Sequence, residues 1–218
     1  ILPFLRRARE LGLGPLSVDT RRAEVAREAL RSGASVVNDV SGLNHDPDMA
    51  AVVAEAHAGL ILSHMRGTPA SMRTLTDYQD LAGEVARELA HSVSMALSAG
   101  VEKERIVVDP GIGFAKTASQ SMMVLGDLAF LQPLGCPILV GPSRKSFIGE
   151  TTGAPPEERL PGTIAACVLA RTTGARLFRV HDVAPMVQAL KVAEAILGAR
   201  IGGGAGPTPG NGPTGAAG

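Results

Sequence analysis

The chain has 218 residues with 21 basic and 21 acidic side chains and 45% hydrophobic content. Balanced charge leaves no broad cationic surface, which argues against a nucleic-acid partner or an anionic membrane surface. No apolar run approaches the roughly 18 residues of a membrane span, and no charged-then-apolar signal segment opens the chain, so a cytoplasmic protein is expected.

In chain order, ILPFLRRARELG places Ile1, Leu2, Phe4, Leu5 and Leu11 at helical spacing. No capping residue precedes it and the first residue is not Met, so the chain is expected to be a piece of a longer protein whose earlier part is absent. Six short aliphatic runs follow: PLSVD (15–19), SVVND (35–39), LILSH (60–64), RIVVD (105–109), PILVG (137–141) and RLFRVHD (176–182). Each reads as a buried parallel strand. Amphipathic helices separate them: 21–32 stops at Gly33, 47–58 starts with Pro47 after Asp46, and 77–99 stops at Gly100. Cys136 and Cys167 lack metal-ligand spacing and read as reduced, apolar thiols. Barrel residues are expected over 1–199. The Gly/Pro-rich end, 200–218, carries eight Gly and three Pro in its last 17 residues and is expected to be a disordered tail.

Regular alternation of strand and helix selects an α/β fold with a parallel sheet, either doubly wound or closed into a barrel. GIGF (111–114) and GPSRKS (141–146) both miss the spacing of a nucleotide-phosphate loop. Nearly every run ends on a polar residue: Asp19, Asn38, Ser63 with His64, Asp109, Ser143 with Lys145, and Arg179 with His181. Asp and Asn are ordinary caps after strands, but six polar ends in register fit the carboxyl-end rim of a (β/α)8 TIM barrel, where active sites lie. Asp19, Asn38 and Asp109 supply acceptors suited to a flat ligand edged with N–H groups. Lys145, Arg179 and His181 supply cations suited to a phosphate or carboxylate, beside a helix expected to start after Ser143. Lys145 is one of four lysines against 17 arginines. His64 reads as a locally satisfied buried histidine, and His45, His57 and His91 are assigned no role.

SVDT (17–20), ND (38–39), HMRGTP (64–69), DPGIGFAK (109–116), GPSRKSFIG (141–149) and RVHDV (179–183) together resemble dihydropteroate synthase, over about residues 1–199. The resemblance implies a (β/α)8 barrel that joins 7,8-dihydropterin-6-ylmethyl diphosphate to 4-aminobenzoate and releases diphosphate, a step of folate synthesis. It implies that Asp109 grips the pterin amino edge, with Asp19 and Asn38 on the remaining ring nitrogens. Lys145 would reach the pterin carbonyl side, Arg179 would stack on the pterin, and Arg179 with His181 would hold the diphosphate. Gly141 would be among the substrate contacts, Phe114 and Pro142 would flank the aminobenzoate ring, and Ser143 would meet its carboxylate. Lys145, Arg179 and His181 are the residues implied to be catalytic.

The six strands would be the third to eighth of the family barrel. The two absent units would carry the asparagine that binds Mg²⁺ with the diphosphate and a closing Ser-Thr-Arg loop, so Mg²⁺ is the implied cofactor with no ligand in this chain. Ser63 stands where many members have Met, and Ala115 where Gly is usual. A homodimer through helices near 162–174 and 184–199 is implied. Two rival readings are a pterin-binding methyltransferase barrel, against which SRKS and RVHD speak, and a non-catalytic pterin-binding fragment.

Overall fold

A computed structural model describes residues 1–199, and the segment read as a tail, 200–218, lies outside the described residues. Helix α1 (Leu2–Glu10) precedes β1 (Ser17–Asp19), α2 (Ala23–Arg31), β2 (Val36–Asp39), α3 (Met49–Glu55), β3 (Gly59–Ser63), α4 (Leu81–Ser98) and β4 (Ile106–Asp109). Then come α5 (Ala118–Gly126), β5 (Ile138–Val140), α6 (Ser146–Thr152), α7 (Leu160–Thr173), β6 (Ala175–Phe178) and α8 (Val183–Gly198).

The strands form one six-stranded sheet in the order β1-β2-β3-β4-β5-β6, with every neighbouring pair parallel. Parallel neighbours in sequence order need a crossover helix each time, and right-handed crossovers place all those helices on the same side. Side chains therefore alternate between a helix-facing and a concave face. Val18, Val37, Leu60, Leu62, Ile106 and Val108 are on the helix side and belong to the continuous core with Ala26 and Ala29 of α2, Met49 and Val53 of α3, and Val85 and Leu89 of α4. Truncating one of these leucines to Ala would cost about 2–5 kcal/mol.

The alternate residues line the concave face, and the register fixes which of them meet. Asp19 lies opposite Asn38, Asn38 opposite Ile61, and Ser63 opposite Asp109. The sheet curls far enough that Arg179, just past β6, reaches Asp19 at the end of β1 with Nη2 2.5 Å from Oδ2. Six parallel strands curled into a half-barrel are consistent with a partial TIM barrel. The polar rim is thus drawn around one mouth.

Two helix limits differ from the sequence reading. The helix expected over 47–58 covers only Met49–Glu55, and His57 turns the chain away at φ 47°. Asp46, read as the start signal of that helix, accepts from the Asp48 amide at its head at 3.1 Å and with its other oxygen from the Ala23 amide at 2.7 Å, so it caps α2 as well. The helix expected over 77–99 begins at Leu81, where Asp80 accepts from the Gly83 amide at 3.0 Å. Among the described residues no helix is long and apolar enough to cross a membrane.

Candidate active site

The acceptor half of the rim is built from the ends of β1, β2, β3 and β4. Asn38 Nδ2 donates to Asp19 Oδ1 at 2.7 Å, which turns the opposite end of the amide toward the mouth. Its Oδ1 is buried and has no hydrogen-bond partner among the described residues. A buried acceptor left unpaired costs about 1–3 kcal/mol, so this atom is poised for an incoming N–H. Asp39, the next residue, is spent on its own loop: its carboxylate accepts from Ser41 N and Oγ at 2.8 and 2.6 Å and from Leu43 N at 3.0 Å. Only Asn38 of the Asn-Asp pair therefore serves the mouth.

Asp109 is 8% exposed. Burial raises its carboxyl pKa, opposed by hydrogen bonds from Gly111 and Ser63 and by the charges of Lys116 and Lys145. Gly111 N donates to Oδ1 at 2.8 Å and Ser63 Oγ to Oδ2 at 3.2 Å. Each carboxylate oxygen keeps acceptor capacity after one bond, so a ligand with two adjacent N–H groups can still be gripped. Ser63 touches the carboxylate directly, which gives this position a part in setting its acidity.

The loop after β4 is a tight turn with positive φ at Gly111 (69°), Gly113 (76°) and Ala115 (46°). A Cβ at Gly111 would come within 2.0 Å of the His64 carbonyl oxygen, so only glycine fits. Ala115 adopts the left-handed region at a strain of order 1 kcal/mol. The turn presents the Phe114 ring to Lys145, whose Nζ stands 4.3 Å from the ring centroid. Burial lowers the Lys145 pKa, partly opposed by Asp109 and reinforced by Arg179.

Behind the turn runs a chain of polar groups, buried at Lys116 and His64 and part-exposed at Glu88, Arg66 and Glu84. Lys116 Nζ lies 2.9 Å from His64 Nδ1, 3.2 Å from Phe114 O and 3.4 Å from Gly111 O. His64 Nε2 is 3.0 Å from Glu88 Oε2, and Arg66 binds Glu88 and, at 2.6 Å, Glu84. Burial pushes the Lys116 pKa down to about 7, and burial with the Lys116 charge pushes that of His64 down to about 4. Arg66 also lies 3.9 Å over the Tyr78 ring, whose hydroxyl donates to Ala115 O at 2.9 Å.

The cationic half comes from the turns after β5 and β6. Arg144 sits at φ 56°, its amide donating to Thr163 Oγ1 at 3.0 Å and its guanidinium meeting both oxygens of Asp182 at 2.9 Å. Arg159 donates to the Arg144 carbonyl at 3.1 Å. Asp182 stands at the head of α8 without a capping bond, because Arg144 occupies its carboxylate. Ser143 Oγ lies 2.8 Å from His181 Nδ1 and accepts from the His181 amide at 3.2 Å.

All ten residues singled out from the sequence for the ligands, Asp19, Asn38, Asp109, Phe114, Gly141, Pro142, Ser143, Lys145, Arg179 and His181, lie at or just beyond strand carboxyl ends. Three groupings emerge: Asp19–Asn38–Arg179, Phe114–Lys145 and Ser143–His181. Arg179 and Ser143 are engaged with protein partners rather than standing free. Sequence reasoning gave no part to Lys116, Glu88, Arg66, Arg144 or Arg159. For Lys116 a signal existed, since it is one of only four lysines and follows the glycine turn directly. The described residues form no cluster of three or more His, Cys, Asp or Glu able to hold a metal ion.

Comparison with known proteins matches residues 1–181 to the family described as pterin binding enzyme. The dihydropteroate synthase of Synechocystis is 50% identical over 196 residues, 89% of this chain and 68% of the relative. That of Bacillus subtilis is 41% identical over 198 residues, 90% and 67% respectively. The chain thus spans about two thirds of these relatives. The crystal structure of Thermus thermophilus dihydropteroate synthase in complex with 4-aminobenzoate is 43% identical, with a TM-score of 0.86 over 91% of this chain and 80% of that one. The Xanthomonas albilineans enzyme in complex with 7,8-dihydropteroate is 39% identical, with a TM-score of 0.84 over 92% and 73%.

Proposed function

The chain belongs to the pterin-binding enzyme family and is a homologue of dihydropteroate synthases, and on that premise we propose that it condenses 7,8-dihydropterin-6-ylmethyl diphosphate with 4-aminobenzoate. The observation that carries the reading is the division of one rim into a buried acceptor set, Asp109 and the unpaired Asn38 Oδ1, and a cationic set, Lys145, Arg179 and His181. Asp109 and Asn38 hold the amino edge of the pterin, with Asp19 beside them. The exocyclic C–O bond breaks as diphosphate leaves toward Arg179 and His181. The aniline nitrogen forms the new C–N bond and gives up one proton. No protein nucleophile is required, so catalysis is electrostatic and positional.

Arg179 must exchange Asp19 for the ligand's phosphates, a trade of one anion for another of higher charge. Gly141 lies against Arg179, where a Cβ would stand 3.8 Å from the Arg179 Cβ, in ordinary contact. Phe114 and Pro142 flank the aminobenzoate ring, with Ser143 toward its carboxylate. Mg²⁺ belongs to the proposal as counter-charge for the diphosphate. The described residues do not fit it on their own, so the steps above use this chain's side chains alone.

The six strands stand for the third to eighth of the barrel. A homodimer is supported by the apolar outer face of α7 and α8, where Leu169, Val192 and Ile196 are more than half exposed. Two buried free thiols support a reducing, cytoplasmic setting.

The test is Lys145→Ala. Diphosphate release dependent on both substrates is expected in the wild-type protein and reduced by about 100-fold or more in the variant, with little change in melting temperature because the side chain lies at the mouth. Undiminished release from a normally folded variant would refute the assignment.

A further inference from the structure

The buried Lys116 has no place in the chemistry above, yet its surroundings are built in detail. The side chain is 7% exposed, and leaving an ammonium so deep is costly unless its hydrogen bonds are met. Three acceptors converge on Nζ: His64 Nδ1, Phe114 O and Gly111 O. Three is the number of donors an ammonium carries and one more than a neutral amine can offer.

His64 fixes the next link. With Nδ1 accepting from Lys116, the ring proton resides on Nε2 and is donated to the Glu88 carboxylate at 3.0 Å. Glu88 is in turn held by Arg66, and Arg66 by Glu84. The succession Lys116, His64, Glu88, Arg66, Glu84 alternates donors and acceptors from the turn after β4 to helix α4. The turn carries its own bond from Phe114 N to Gly111 O at 2.9 Å and is touched at its far positions by Ser121 Oγ on Gly113 N and Tyr78 Oη on Ala115 O. Gly111, Gly113 and Ala115 nevertheless all lie at positive φ and glycines give the chain alternatives, so the Lys116 bonds to the Gly111 and Phe114 carbonyls add a restraint at the end that faces the mouth. Of the two carbonyls that Lys116 ties down, one belongs to Phe114, whose ring meets Lys145. The other belongs to Gly111, whose amide holds Asp109.

We propose that Lys116 is a positioning residue that clamps the Gly111–Ala115 turn to His64 just past β3, and that it thereby sets the aminobenzoate subsite through the placement of Phe114. The identity of that subsite rests on the synthase reading; the clamp itself does not. Asp109 has a second anchor in Ser63 Oγ, from a different strand, so losing the clamp disturbs Phe114 more than the pterin grip. Lys116 never touches the reacting atoms, and its loss therefore shows in binding rather than in the chemical step.

Two measurements on the full chain separate these parts. Hydrogen–deuterium exchange of the segment 110–117 is expected to quicken at least tenfold in Lys116→Met with exchange in β2 and β3 unchanged, and to return near wild type in Lys116→Arg. In steady-state kinetics Lys116→Met is expected to raise the KM for 4-aminobenzoate about tenfold, with kcat and the KM for the pterin diphosphate within threefold, and Lys116→Arg to recover most of the loss. If Lys116→Met fails to fold, Lys116→Gln, with two donors on a shorter side chain, gives the same order of effects at smaller size. Unchanged exchange at 110–117 in the folded Met or Gln variant would overturn the clamp. A fall in kcat with both KM values unchanged would overturn its role as a positioning residue. Absence of turnover in the wild type would count against the synthase reading, while the exchange result would still decide the clamp.

Discussion

At Asp109 burial and hydrogen bonding pull in opposite directions, and burial wins, raising the carboxyl pKa. Its neighbour His64 shows the same contest with the same outcome, burial disfavouring the charged form. Burial and the Lys116 charge lower its pKa from the ordinary 6.5 to about 4, so between these values the unfolded chain binds a proton that the folded chain refuses. Folding stability contributed by neutral His64 is therefore full above about pH 6.5 and lost as the pH falls toward 4. Thermal unfolding across this window is expected to show a falling melting temperature for wild type and a flatter profile for His64→Gln. Equal slopes in the two proteins would contradict the assignment of this proton to His64. This histidine's burial was legible in the sequence from the aliphatic run that precedes it. Its partners were not, because Lys116 and Glu88 lie 52 and 24 residues away and meet it only once α4 and the turn after β4 have packed.

Among the elements, the strands were the most legible. Nearly every one is a short aliphatic run closed by a polar residue, and burial on the helix side constrains side-chain type strongly in β1 to β5. Helix limits were less so, for a reason visible at Asp46: a capping side chain can serve a helix other than the one it precedes in sequence, as its bond to Ala23 shows. The turns after β5 and β6 went further beyond sequence reasoning. Arg144, Asp182 and Arg159 tie together segments 38 and 15 residues apart, and they hold Lys145 and His181 in place between them. The Arg144–Asp182 pair is part-buried with two guanidinium nitrogens engaged, so a double-mutant cycle with Arg144→Met and Asp182→Asn is expected to give a coupling energy of about 1–3 kcal/mol. Additive effects, with no coupling, would show that the two turns are held independently.

For the whole molecule, the curl of the sheet is what turns a list of polar strand ends into a site. Alternation of strand and helix was enough to indicate a parallel sheet with its polar ends on one rim; that Asp19 and Arg179 pair directly across the mouth was not, since it depends on the curvature accumulated over six strands. The outer face of α7 and α8 is the other feature of this scale. Val192 lies there, 56% exposed, beside a groove lined by Ile164, Val168 and Ile196. Light scattering is expected to report a dimer for wild type and a monomer for Val192→Glu. A monomeric wild type, or a dimer unaffected by the charge, would place the contact elsewhere.

The division of the rim into an acceptor half and a cationic half is tested most directly by calorimetric titration of 7,8-dihydropterin-6-ylmethyl diphosphate into wild type and Asp109→Asn. Replacing a charged acceptor by an amide that can accept only one of two N–H bonds removes a charge-assisted hydrogen bond and should cost about 1.5–3 kcal/mol, tenfold or more in affinity. The expected result is one saturable site in the wild type, weakened at least tenfold by Asp109→Asn, with 4-aminobenzoate binding in the presence of diphosphate changed less than threefold. Absence of binding to the wild type, or equal losses for both ligands in the variant, would contradict the division.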